Sequence, residues 1–209
     1  MTAALMILSL VLALLFGARF LLAPPSWAGT WTKAGSVAAL AALGPVLGVS
    51  PLVTLGLALG ALGDFCLSRP GERAFLAGMA AFALGHLAYA WAFWQGTAPP
   101  ILPALAVIAL ALSTEVWLAP FAGPMRWPVR GYAVVIALMA LSVLTLGLGA
   151  PLLTLGAALF LLSDVLLALD RFTFAGRPTP RSWLKRAVWA IYCAGQVQIL
   201  WGAAGVSGA

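Results

Sequence analysis

The chain has 209 residues, 64% of them hydrophobic and only 8% charged, with a mean hydropathy of +1.08. Soluble domains are about 25% charged, so this composition excludes one. A net charge of +6 does not point to nucleic acid either, because the basic residues sit in short loops between apolar runs and form no exposed stripe.

The apolar runs approach the ~20 residues needed to cross a hydrocarbon core. They lack the period-2 alternation of barrel strands and therefore read as helices, which satisfy their own backbone groups in lipid. Eight spans are predicted, at Met1–Leu22, Ala34–Val49, Pro51–Leu67, Ala74–Gln95, Ile101–Ala119, Arg130–Ala150, Pro151–Leu169 and Trp183–Trp201. The first has no basic segment before it and is of span length, so it reads as a helix rather than a cleaved leader. Breaks fall at Ala23-Pro24-Pro25, at Ser68-Arg69-Pro70-Gly71 and between Pro124 and Pro128. Two junctions, Val49-Ser50-Pro51 and Gly149-Ala150-Pro151, are short enough to be either breaks or kinks. Cys66 and Cys193 lie in spans and lack CxxC spacing.

The cationic residues fall into alternate loops. Arg19 and Lys33 flank the first, Arg69 and Arg73 the third, and Arg126 and Arg130 the fifth. Arg171, Arg177, Arg181, Lys185 and Arg186 occupy the seventh, which exhausts the Lys and Arg complement. By the positive-inside rule those loops are cytoplasmic and both termini lie outside. The expected location is the bacterial inner membrane.

An internal repeat is also visible. Thr54-Leu55-Gly56 leads to Asp64 and Leu67 as Thr154-Leu155-Gly156 leads to Asp164 and Leu167. Leu22-Ala23-Pro24 matches Leu118-Ala119-Pro120, and Gly85-His86 matches Gly195-Gln196. The expected fold is an all-α transmembrane bundle, a single domain over 1–209. It would be built from two parallel four-helix repeats, about 1–97 and 98–209, related by an axis along the membrane normal.

Ionisable groups inside spans are costly in lipid, so they normally face the bundle interior and mark a site or a pairing. Here they are Asp64, Asp164, Glu115 and His86, with Tyr89, Tyr132, Tyr192 and Gln196 as polar company. Phe82, His86 and Tyr89 share one helix face, and so do Trp189, Tyr192 and Gln196. Asp64 and Asp164 carry the strongest signal. At equivalent places in the two halves they would converge on the axis, and two carboxylates sharing a low-dielectric site do not both ionise easily. That yields a general acid beside a general base. The bland alternative is that each aspartate merely pairs with Lys33, Arg130 or Arg171. Glu115 is expected to pair with Arg19, Arg126 or Arg130, or to act as a second acid. A single histidine excludes a three-histidine zinc site. Ser163 lacks the sharp turn that exposes a serine nucleophile and is read as packing or bonding to the site.

These motifs resemble the YhhN-type lysoplasmalogenase family of integral membrane proteins. The resemblance rests on Gly63-Asp64-x-x-Leu67 and on Phe75-x-x-Gly78-x-x-x-Phe82-x-x-x-His86-x-x-Tyr89. A third motif is Gly156-x-x-x-Phe160-x-x-Ser163-Asp164-x-x-x-Ala168-x-x-Arg171-Phe172, with Lys33 and Tyr192-x-x-x-Gln196 in support. It implies hydrolysis of the vinyl ether bond of lysoplasmalogens to a fatty aldehyde and a glycerophospho-alcohol, glycerophosphoethanolamine or glycerophosphocholine. Asp64, Asp164 and His86 would be catalytic. Lys33, Tyr89, Tyr132, Ser163, Tyr192, Gln196 and Glu115 would bind a lysophospholipid, with no metal and no cofactor. The alternative is a small-molecule or proton-coupled transporter, since parallel repeats and in-bundle carboxylates also describe a carrier.

Overall fold

Eight α-helices follow the apolar runs in the computed structural model, which describes residues 1–175 and 181–207. They are α1 (Thr2–Leu15), α2 (Trp27–Val46), α3 (Pro51–Leu67), α4 (Glu72–Phe93), α5 (Ile101–Trp117), α6 (Arg126–Leu144), α7 (Pro151–Ala168) and α8 (Ser182–Ser207). Two of them run on through a π-helical turn, α1 over Phe16–Phe20 and α7 over Leu169–Thr173. Such turns are uncommon and recur at functional sites. No strand occurs among the described residues. Arg177, counted above among the loop cations, lies outside them.

Both short junctions are true breaks. Pro51 and Pro151 each open a helix, where proline's missing N–H would have had no partner anyway. Ser50 accepts from the Leu52 amide at 3.3 Å, and Gly48 supplies the left-handed residue that ends the preceding helix (φ +69°).

Two helix starts differ from expectation. The second helix begins at Trp27 rather than Ala34, because the Ser26 hydroxyl caps it by accepting from the Gly29 amide at 3.1 Å. Lys33 is thus inside α2 and does not mark its end. The sixth helix likewise starts at Arg126 and encloses Arg130. Of the eight helical segments, six are long and apolar enough to cross a membrane by length and composition. The other two are α2, which carries Lys33 and several hydroxyl side chains, and the 17-residue α3.

Glycines bring α3 close against α4 and α7 close against α8. A Cβ at Gly56 would run into the Tyr89 ring, and one at Gly63 would lie 2.6 Å from Phe82. The crossings of α3 with α4 and of α7 with α8 correspond closely. A Cβ at Gly85 would stand 3.1 Å from the Gly56 carbonyl, and one at Gly195 would stand 3.1 Å from the Gly156 carbonyl. The outer helices are α1 and α5, each only 11% buried, leaving the core to the other six. An aromatic junction binds α4, α7 and α8 together. Phe82 meets Phe160 and Tyr192 edge-on at 6.1 and 5.8 Å between centroids, and Phe160 meets Tyr192 at 5.3 Å.

Candidate active site

Above this aromatic junction the two aspartates reach into one chamber. Asp64 stands one turn before the end of α3, with its side chain 2% exposed. Lys33 Nζ lies 3.0 Å from its Oδ1, and the Tyr192 hydroxyl donates to its Oδ2 at 2.7 Å. Tyr192 in turn accepts from Gln196 Nε2 at 3.2 Å, and Gln196 Oε1 accepts from the Tyr89 hydroxyl at 3.0 Å. A buried chain of hydrogen bonds therefore runs from α4 through α8 to the carboxylate on α3. The Lys33 ammonium lies near the rings of Phe16 and Trp189, 5.9 and 5.8 Å from their centroids. Trp189 is itself fixed by donating to the Ala13 carbonyl at 3.0 Å. The outer helix α1 thus supports the site indirectly.

Asp164 has different company. The Tyr132 hydroxyl of α6 donates to its Oδ2 at 2.8 Å, and His86 Nε2 of α4 is 3.8 Å from the same oxygen. His86 Nδ1 sits 2.6 Å from the Phe82 carbonyl. A carbonyl only accepts, so Nδ1 carries the hydrogen. That leaves Nε2 buried, without a hydrogen-bond partner, and turned toward Asp164. Among the described residues no lysine or arginine stands within ion-pair distance of Asp164.

The chamber has a volume of about 520 Å³ and is lined by both aspartates with Lys33, Ser163 and Tyr192. It opens at the end of the bundle where Arg69, Arg171 and Lys185 are found. His86 does not line it; the imidazole backs Asp164, edge-on to Phe160 at 4.5 Å. Tyr89 and Gln196 also lie behind the wall. Ser163 faces the chamber while its hydroxyl donates to the Phe160 carbonyl at 2.8 Å, so the structure uses it as packing rather than as a free nucleophile. Glu115 is elsewhere, exposed and held by both arms of the Arg130 guanidinium.

Asp64 is thus ion-paired with Lys33, and both carboxylates line one cavity. Two features had not been expected. One is the cationic rim, since Arg69 and Lys185 had been read as markers of orientation and Arg171 as that or as a partner of an aspartate. The other is a second, apolar crevice of about 100 Å³ bounded by α4, α5, α6 and α7, into which Asp164 and Tyr132 also project.

Fold and site together define a polytopic helical membrane protein with an ionisable site inside its bundle. The chain belongs to the YhhN family, whose family model matches residues 2–203. Its curated relatives include human lysoplasmalogenase TMEM86B, 34% identical over 178 residues, covering 83% of this chain and 74% of the relative. The pig protein of the same name is 35% identical over 187 residues, covering 84% and 75%. No solved structure matches the chain.

Proposed function

We propose that this protein hydrolyses the vinyl ether bond of lysoplasmalogens, releasing a fatty aldehyde and a glycerophospho-alcohol. The relatives named lysoplasmalogenase support the substrate. One observation supports the chemistry above all: two in-bundle carboxylates line one chamber, one with a cation in contact and the other without.

A vinyl ether is cleaved by protonating its distal alkene carbon. The alkene electrons form the new C–H bond, and the ether oxygen donates a lone pair to give an oxocarbenium ion. Water adds to that ion, and the resulting hemiacetal collapses to aldehyde and alcohol. The roles divide by environment. Asp164, whose neighbours are a phenol and a neutral imidazole, donates the proton to carbon. Asp64, held as the carboxylate by Lys33, stabilises the cation and orients the water, much as paired carboxylates do in glycoside hydrolysis. Tyr132 fixes the Asp164 carboxyl group. His86 Nε2 faces the same carboxyl group at 3.8 Å and is the nearest basic group behind the acid. Asp164, left as the carboxylate, takes the proton that the adding water gives up; in the collapse it protonates the departing ether oxygen while its other oxygen accepts the hydroxyl proton, so one water is consumed and the acid is restored.

The same reading treats the chain as one membrane domain of two related halves, with the basic loops cytoplasmic and both termini outside. The matched crossings at Gly85 and Gly195 support the repeat. The test is aldehyde release by the purified protein in nanodiscs, where no gradient exists. Folded protein that releases no aldehyde from 1-alkenyl lysophosphoethanolamine or lysophosphocholine would refute the enzyme reading in favour of a carrier.

A further inference from the structure

The chamber and the apolar crevice are not separate features. Both are lined by Leu67, Phe75, Phe82, Asp164, Leu167 and Arg171, so they meet along the face of α7 that carries Asp164. On one side of that seam the walls are almost wholly hydrocarbon. The crevice holds Asp164, Tyr132 and Thr114 as its few polar residues apart from Arg171 at the seam, and one wall is the peripheral helix α5. On the other side the walls are polar and the rim is cationic.

The rim cations are available. Among the described residues no carboxylate stands within ion-pair distance of Arg69, Arg171 or Lys185. Among the described residues Asp170 is the rim's only acid, and Arg181 already engages it at 3.1 Å. Arg69 is partly committed, donating to Thr30 at 3.2 Å and covering the Trp27 ring at 3.9 Å. Arg171 rests on Phe75, 4.9 Å from its centroid, which leaves the guanidinium edge free to bond. Lys185 is exposed on the first turns of α8.

We propose that the substrate lies across both cavities, with its single aliphatic chain in the crevice between α4 and α7 and its phosphate bound by Arg171 and Lys185. This binding mode rests on the hydrolase reading above. It puts the junction of chain and headgroup, where a vinyl ether sits, beside Asp164. The free hydroxyl of a lysolipid then faces Ser163 and the Lys33–Asp64 pair, a polar wall against which a second acyl chain would lose its hydrocarbon surroundings. An arginine that forks onto phosphate oxygens and a lysine acting as a point charge are the usual pair of phosphate ligands.

The experiment compares a 1-alkenyl glycerophospho-alcohol with the phosphate-free 1-alkenylglycerol, using wild type and Arg171→Gln/Lys185→Gln in nanodiscs of neutral lipid. Wild type should favour the phosphate-bearing substrate in kcat/KM by roughly tenfold or more, the usual scale of charge-assisted contacts. In the double variant that preference should vanish, mainly through KM. A preference that survives in the variant overturns the phosphate subsite, as does a wild type without one. Ala111→Trp, on α5, tests the crevice. It should cut turnover of a long-chain substrate while sparing a short-chain one, and a parallel effect on both, or none, overturns the chain site. If wild type makes no aldehyde from any of these substrates, the hydrolase reading fails and the binding mode with it. Aldehyde made by wild type without these differences overturns the binding mode alone.

Discussion

Lys33 is the most exposing place to test the site, because it is a cation well inside a helix whose function depends on one contact. Asp64 has two partners for its two oxygens, Lys33 Nζ at 3.0 Å and the Tyr192 hydroxyl at 2.7 Å, and its side chain is 2% exposed. Lys33→Met keeps the length and the packing against Phe16 and Trp189 but removes the charge. A buried carboxylate that loses its only counter-ion costs about 3–5 kcal/mol. At ~2–4 °C per kcal/mol for a chain of this size, the melting midpoint should fall by roughly 6 °C or more. Adding Asp64→Asn removes the stranded charge, so Lys33→Met/Asp64→Asn should regain most of that loss while remaining inactive. The assay is thermal unfolding in detergent at one fixed scan rate, since membrane proteins seldom refold on cooling, paired with aldehyde release. A Lys33→Met protein that melts with wild type would refute the reasoning. So would a double variant that melts no higher than Lys33→Met, and Asp64 would then not be a cation-held carboxylate.

Asp164→Asn and Asp64→Asn should each lower turnover by ~10²- to 10⁴-fold with the helical fold retained, because Asn keeps the volume but loses the proton donor at 164 and the anion at 64; circular dichroism with a rate measurement checks this. Turnover in D2O should slow, and each aldehyde released should carry one deuterium on the carbon next to its carbonyl, read by mass spectrometry after immediate reduction to the alcohol. EDTA should leave the rate unchanged, since one histidine cannot build the usual catalytic zinc site; loss on chelation restored by zinc would contradict it. A reporter fused to the C-terminus should read as outside the cytoplasm, and a cytoplasmic signal would overturn the orientation.

The helices and the aspartates were legible in the sequence, because lipid forces long apolar runs into helices and makes every in-span charge conspicuous. The start of α2 was not. Lys33 looked like the flank of a loop, since a lone lysine is expected at a membrane boundary. Only its pairing with Asp64, 31 positions away on the next helix, lets it sit inside. The split between wall and backing was equally invisible: Tyr89, His86 and Gln196 share helix faces with chamber residues but point behind them, into hydrogen bonds that periodicity does not specify. The rim had the opposite fault. Arg171 and Lys185 were noticed, but a cation in a loop between spans satisfies the orientation rule by itself, so nothing in the pattern separated binding from topology.

What the sequence presents as a symmetric pair, the structure makes unequal. Asp64 and Asp164 stand at matching places on α3 and α7, and matching helices surround them, yet the side chains those helices supply differ. Asp64 takes its cation from α2 and its phenol from α8, whereas Asp164 takes a phenol from α6 and an imidazole from α4. Where α2 brings Lys33 to Asp64, α6 brings Tyr132 to Asp164, and its cation Arg130 is bound outward to Glu115 instead of reaching the chamber. Where α8 has Tyr192 and Gln196, α4 has Phe82 and His86, so no hydroxyl from α4 reaches Asp164. Acid-catalysed addition of water to a vinyl ether gives the two carboxyl groups different tasks, and unequal surroundings fix which group takes which. It needs one that holds a proton until carbon takes it and one that stays anionic while the cation forms. For the proposed reaction, the outward turn of Arg130 therefore matters as much as the inward turn of Lys33. Each removes the symmetry on its own side, and together they leave one carboxyl group free to be the acid.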